Sequence, residues 1–186
     1  MIYRIYFQLE VIEPPIWRRV ELSSQSTLDQ LHGILQIAMG WEDYHLHEFT
    51  VDGMRYGLPD PDGDESEIVA DKTVCLADVL RAPGAEMSYL YDFGDDWLIT
   101  IRLEAVVEEE PGAQYPRVVE GARSGPPDDC GGPFGYADFL DVLVSPKHKR
   151  FKEMSKWVGP NFNAEYFSVE KMNARLRKNK SLGVGK

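Results

Sequence analysis

Three short stretches of the chain concentrate side chains that could hold a cation or move a proton. The first is "HLHEF", with His45 and His47 two residues apart. On a strand, alternate residues leave by the same face. That spacing predicts two neighbouring imidazoles, a pair able to share one metal ion. The competing reading is a pair of surface or interface histidines where a strand begins. The second stretch is "YDFGDDW", with Asp92, Asp95 and Asp96 set among Tyr91, Phe93 and Trp97. Carboxylates this close repel unless a cation or hydrogen bonds intervene. Aspartates accepting backbone N–H groups in a turn would suffice, and this reading is preferred. The third is "GPPDDCGGPFGY", in which prolines stiffen the entry and glycines loosen the exit of a loop. Asp128, Asp129 and Cys130 would sit at its tip, with Tyr136 at its end. Loops with definite backbone chemistry often carry function. Cys130 has no CxxC partner, which argues against structural zinc.

If the three stretches meet at one end of a sheet, His45, His47, Asp92 and Asp128 are the candidate metal ligands. Trp41, Tyr91, Asp95, Asp96, Trp97, Asp129, Cys130 and Tyr136 would complete a binding surface. Mixed histidine and aspartate donors suit zinc, iron or manganese better than calcium. The sequence has no GxSxG, P-loop, HExxH or post-strand GxGxxG, the signatures of common hydrolase and nucleotide chemistries. His32, one turn from Leu28 and Leu35, reads as a helix-boundary residue rather than a base.

The elements around these stretches follow from periodicity. Tyr3, Ile5, Phe7, Leu9 and Val11 alternate with polar residues, which predicts a half-buried strand. Pro14 and Pro15 interrupt it, and Ile16 to Leu22 resumes, giving an antiparallel hairpin. "STLD" is a capping-box-like start to a helix that Gly40 would stop. Asp52-Gly53 predicts a second hairpin. "PDPDGDESE", residues 59–67, reads as a solvated acidic loop, and a short helix is expected over 73–80. Residues 87–93 and 97–107 alternate on either side of Gly94-Asp95-Asp96, which predicts a third hairpin with Gly94 at positive φ. Residues 108–133 read as loop. Helices follow over 136–144 and 147–158, and a last one starts at Ser168; residues 181–186 should fray. Strands first and helices last predict an α+β fold, with an antiparallel or mixed sheet of hairpins, one early helix and a C-terminal helical segment. The opening hairpin–helix–hairpin order is compatible with a β-grasp-like core. One domain over 1–180 is expected.

A chain of 186 residues can bury about 70% of the surface its unfolded form exposes, so it needs no metal or disulfide to fold. Two cysteines are too few for a disulfide-dependent secreted domain, which points to the cytoplasm. No apolar run is long enough to span a bilayer, so no membrane partner is expected. The net charge of -11 conceals an asymmetry. Residues 145–186 carry 11 Lys+Arg against 3 Asp+Glu, a net of +8; residues 1–144 carry 9 against 28, a net of -19. The basic segment either docks on the acidic body or offers Lys147, Lys149, Arg150, Lys152, Arg175, Arg177 and Lys178 to nucleic acid. Few aromatic residues are interleaved there, which favours docking.

"PPIWRRV", "LDQLH" on a helix, "MGWEDYHLHEF", "YDFGDDW" and "PPDDCGGPFGY" occur in this order. Together they resemble the Ri-plasmid ORF-three-like family, over roughly residues 3 to 177. The resemblance implies an α+β domain associated with plasmids and mobile elements, some of whose members carry a transposon-resolvase label. A serine resolvase needs a nucleophilic serine backed by arginines and a helix-turn-helix, and the acidic body with no recognition-helix pair does not suit one. Family members commonly continue after the "YDFGDDW" stretch with Glu and His, where this chain has Leu98, Ile99 and Thr100.

Three functions are therefore expected, in this order. The first is a non-enzymatic module binding a protein or small ligand at the loop end of the sheet. The second is a metal-dependent hydrolase acting on nucleic acid or phosphoesters, with a divalent metal as cofactor. The third is DNA binding through the basic segment.

Overall fold

The computed structural model describes residues 1–59 and 68–182. Most of the acidic stretch expected as a loop, residues 60–67, lies outside the described residues, as do 183–186.

Among the described residues, eight strands form one mixed sheet. They are β1 (Ile2–Leu9), β2 (Trp17–Ser23), β3 (His47–Val51), β4 (Met54–Gly57), β5 (Val69–Ala70), β6 (Glu86–Tyr91), β7 (Trp97–Val107) and β8 (Arg117–Ala122), in the order β5-β4-β3-β6-β7-β1-β2-β8. Among these strands the short β4–β5 pair is parallel and the other pairs are antiparallel. The two hairpins that open the chain, β1–β2 and β3–β4, sit apart in the sheet with the β6–β7 hairpin between them. Alternation decides the faces. Ile5, Phe7 and Leu9 of β1, and Ile99, Ile101 and Leu103 of β7, point inward and are fully buried. The opposite face carries ion pairs instead, such as Arg4–Glu21 and Arg19–Glu104, both at 2.6 Å.

The helices are α1 (Leu28–Met39), α2 (Leu76–Val79), α3 (Gly132–Leu143), α4 (Phe151–Val158) and α5 (Val169–Lys178). Thr27, rather than Ser26, opens α1; its side chain accepts from the Gln30 N–H while the Gln30 side chain accepts from the Thr27 N–H. Gly40 closes the helix at φ 90°, a conformation that glycine adopts at little cost. Leu28, Leu31, Ile34, Leu35 and Ala38 bury one α1 face completely. They join the inward sheet residues in one hydrophobic cluster.

Five expectations about the elements need correction. Val11, expected on the inward face of the first strand, lies beyond β1 at φ 64° and is 75% exposed, because the chain turns after Leu9. Residues 108–133 contain β8, an edge strand of which only Val118 is fully inward, so its sequence lacks the alternation of a half-buried strand. Positive φ in the 92–96 turn belongs to Asp92 (58°) and Asp96 (55°), not to Gly94. Phe93 leaves the core face and is 50% exposed, because that turn begins before it. Leu182 is buried rather than frayed; it packs on Gly33, where an added Cβ would lie 2.7 Å from Leu182 Cδ2.

The basic segment is divided between two supports. α4 packs on α3, whereas α5 packs on β8 and α1. Arg175, Arg177 and Lys178 occupy the last turn of α5, where cations complement the helix dipole. Lys147, Lys149 and Lys152 are exposed before and within α4, and Arg150 pairs with Asp138 at 2.7 Å. Leu176 anchors α5 and is fully buried. Leu176→Ala should therefore lower the unfolding free energy by about 2–5 kcal/mol, as buried leucine truncations do. Urea denaturation checks this; an unchanged midpoint would make α5 an appendage.

Candidate functional site

The three chemistry-bearing stretches meet at one end of the sheet, where β3 begins, β6 ends and the loop before α3 arrives. The β3–β6 ladder stops at the pair His47–Tyr91, and one further bond runs from Asp92 N to Leu46 O at 3.0 Å. His45 therefore lies beyond the ladder, and the alternation rule that would place it beside His47 does not apply to it.

The two imidazoles accordingly part company. His45 Nε2 lies 3.4 Å from Asp92 Oδ2 and 3.1 Å from Asp129 Oδ1. Neither contact has hydrogen-bond geometry, so this buried nitrogen has no hydrogen-bond partner among the described residues. One donor atom from each of His45, Asp92 and Asp129 lies within 4.8 Å of the other two. Ligands held about 2.1 Å from an ion, at octahedral to tetrahedral angles, stand about 3.0–3.4 Å apart. The two short separations match adjacent corners of such a polyhedron.

His47 and Asp128, expected as ligands, do other work. His47 Nε2 contacts Asp71 Oδ2 at 2.8 Å, and its ring stacks on His32 at 3.6 Å. Asp128 Oδ2 accepts from Glu42 N at 3.0 Å, and its Oδ1 faces the Tyr91 hydroxyl at 3.5 Å. Burial holds the Asp128 carboxyl above its ordinary value. Asp129, at the loop tip with φ 58° and a 69% exposed side chain, is the second carboxylate at His45.

The segment before β3 is fastened residue by residue. Trp41 Nε1 donates to Pro126 O, Asp43 N to Gln36 Oε1 and Tyr44 N to the Tyr91 hydroxyl. Trp41 also stacks on Tyr91, with ring centroids 4.7 Å apart. The loop before α3 is tied down as well. Asp95 Oδ2 accepts from Gly131 N at 3.0 Å, and a Cβ on Gly132 would lie 2.3 Å from Asp95 O. At the other end of that loop, a Cβ on Gly125 would lie 2.0 Å from Met39 O. Only glycine permits these approaches.

The remaining candidates line the floor or the rim. Trp97 and Tyr136 are buried and pack edge to face at 6.4 Å, and neither Trp97 Nε1 nor the Tyr136 hydroxyl has a hydrogen-bond partner among the described residues. Burial pushes Tyr136 up to about 12. Burial, then nearby Asp95, pushes the Cys130 thiol up to about 12, far from a reactive thiolate. Cys75 and Cys130 are both free. Asp96 is exposed, and its N–H closes the turn onto Asp92 O at 2.7 Å.

A model of the plasmid pRiA4b ORF-3-like protein family matches residues 1–171. The chain belongs to this family. It is 34% identical over 177 residues to the uncharacterized protein y4hQ of Sinorhizobium fredii, covering 95% of this chain and 89% of that one. The fold is similar to the crystal structure of a protein of unknown function, MM3350, from Methanosarcina mazei Go1. That match has a TM-score of 0.81 and 34% identity, covering 91% of this chain and 96% of that one. No helix among the described residues is long and apolar enough to cross a membrane.

Periodicity did not disclose one polar network of this family member. His32, read as a helix-boundary residue, is only 6% exposed. Its Nδ1 meets the Tyr89 hydroxyl and its Nε2 meets Asp43 Oδ1, both at 2.8 Å. Gln36 Nε2 already donates to the Tyr89 hydroxyl. The Asp43 carboxylate can only accept, so Nε2 carries the proton, and Nδ1 of the neutral ring accepts from the Tyr89 hydroxyl. A neutral imidazole satisfies every contact. Polar residues on a helical core face were the available signal.

Burial, then the His47 ring, lowers the His32 pKa from its ordinary 6.5. Below pH 6.5 the unfolded chain takes up this proton before the folded one, so stability present above 6.5 is lost as pH falls through the folded value. Urea midpoints measured at pH 7 and pH 5 should fall with acidification. The fall should be smaller in His32→Asn, and an equal fall would assign the pH dependence elsewhere.

Proposed function

We propose that the domain binds a divalent transition-metal ion through His45, Asp92 and Asp129, and uses the ion's open positions to hold a ligand. The observation that carries this reading is the buried His45 Nε2, without a hydrogen-bond partner yet flanked by carboxylate oxygens at 3.1 and 3.4 Å. One imidazole and two carboxylates suit zinc, manganese or iron(II). Three protein donors leave coordination positions free, as sites that engage a ligand do. Rigid seating of the 41–44 segment and of the loop before α3 means that little would need reordering on binding.

The test is calorimetric titration of chelator-treated protein with zinc and with manganese. One ion per chain should bind, with a rise in unfolding temperature. Asp129→Asn should weaken binding by at least ~10-fold, the lower end of what outer-shell changes alone cost. Asp129 is exposed, so the variant should keep its urea midpoint. Absence of both heat and thermal shift with zinc, manganese and iron(II) overturns the reading.

Asp128 favours a second reading, metal-assisted hydrolysis. Its carboxyl, raised by burial, is the kind of group that can take a proton from a nearby water. Manganese-loaded protein should then turn over bis(p-nitrophenyl) phosphate. Asp128→Asn should remove turnover while metal affinity persists. Metal binding without turnover leaves the ligand-binding module.

A further inference from the structure

A groove of about 590 Å³ opens between Asp129, α3 and α4, a volume in the range of small-molecule sites. Its apolar lining comes from Phe139, Met154 and Trp157. Trp157 packs edge to face on Phe139 at 5.6 Å, yet is 47% exposed. No sequence motif points to this groove, because its residues come from two helices and a loop.

We infer that this groove takes a small, flat apolar molecule bearing one anionic oxygen group. The apolar lining offers a ring face to stack on, as half-exposed tryptophan does in binding sites. The anionic group follows from two cations on the rim. Lys156 is exposed and makes no ion pair or hydrogen bond among the described residues. Arg150 gives Nη1 to Asp138, but its Nη2 reaches only Met154 Sδ at 3.7 Å, a weak acceptor. Both cations therefore keep donors that a carboxylate or phosphate would use better. Glu153 lies on the same rim and opposes a polyanion, which disfavours a nucleic-acid backbone. At the other end the groove reaches Asp129; for that end alone the inference rests on the metal reading, since a bound ion there would add an anchor for the same anionic group.

Calorimetry of the full chain with phenyl phosphate, phenol and inorganic phosphate tests the inference, in chelator-treated and in zinc-loaded protein. Phenyl phosphate should bind at least about tenfold more tightly than phenol or inorganic phosphate, in line with one charge-assisted hydrogen bond added to apolar burial. Trp157→Ala and Lys156→Gln, both at exposed positions, should each weaken phenyl phosphate binding and leave metal affinity unchanged. Binding no tighter than that of phenol or phosphate, or insensitive to both substitutions, overturns the inference. Phenyl phosphate binding without metal binding sinks the metal reading and keeps the groove. Metal binding without phenyl phosphate binding does the reverse.

Discussion

Asp92 holds the site together by doing separate things with its backbone and its two carboxylate oxygens. Its backbone adopts φ 58°, a conformation that aspartate tolerates better than most residues. Its N–H ends the β3–β6 ladder on Leu46 O, and its C=O accepts the Asp96 N–H. Oδ1 accepts from Gly94 N at 2.9 Å and Asp95 N at 3.3 Å. Oδ2 is thereby left facing His45. The same turn places Asp95 against Gly131 and so fixes the loop that carries Asp129. The turn reading and the site reading of "YDFGDDW" are thus compatible, because one carboxylate serves both.

A second device secures the scaffold beneath. Arg18 is fully buried with no carboxylate partner among the described residues. Its Nε donates to Ala38 O near the end of α1, and Nη1 donates to Trp17 O and Ala122 O. Its guanidinium lies 4.6 Å from the centre of the Phe167 ring. Burial pushes its pKa down to about 10. A cation beside helix carbonyls is favourably placed, so one side chain ties α1, β2 and β8 into a frame. The α1 terminus held in this way leads directly into Trp41 and the segment that carries His45.

Charge divides along the same lines. The outward sheet face neutralises much of its acid locally, through pairs such as Arg19–Glu104 and Arg117–Glu21. At the site end Asp92 and Asp129 face His45, Asp95 accepts from Gly131 N and Asp128 accepts from Glu42 N. The basic C-terminal helices lie against other elements, with Leu176 buried among them. In α5 the apolar Leu176 is buried while Arg175, Arg177 and Lys178 stay exposed.

Much of the architecture was legible in the residue order, because local rules govern it. The period of two in residues 3–9 and 97–103, the Asp52-Gly53 turn, the stop at Gly40 and the cap at Ser168 each act within a few residues. The three chemistry-bearing stretches could likewise be picked out by residue type. Their partnering was not legible. Whether His45 follows its strand or leaves it depends on where the β6 ladder ends, at Tyr91, 46 residues further along the chain. The choice between Asp128 and Asp129 depends on which carboxylate the Glu42 N–H occupies. The His32–Asp43–Tyr89 network and the α3–α4 groove draw on segments that no sequence period relates. Such choices are decided by contacts between distant segments, and only the folded chain brings those segments within reach of one another.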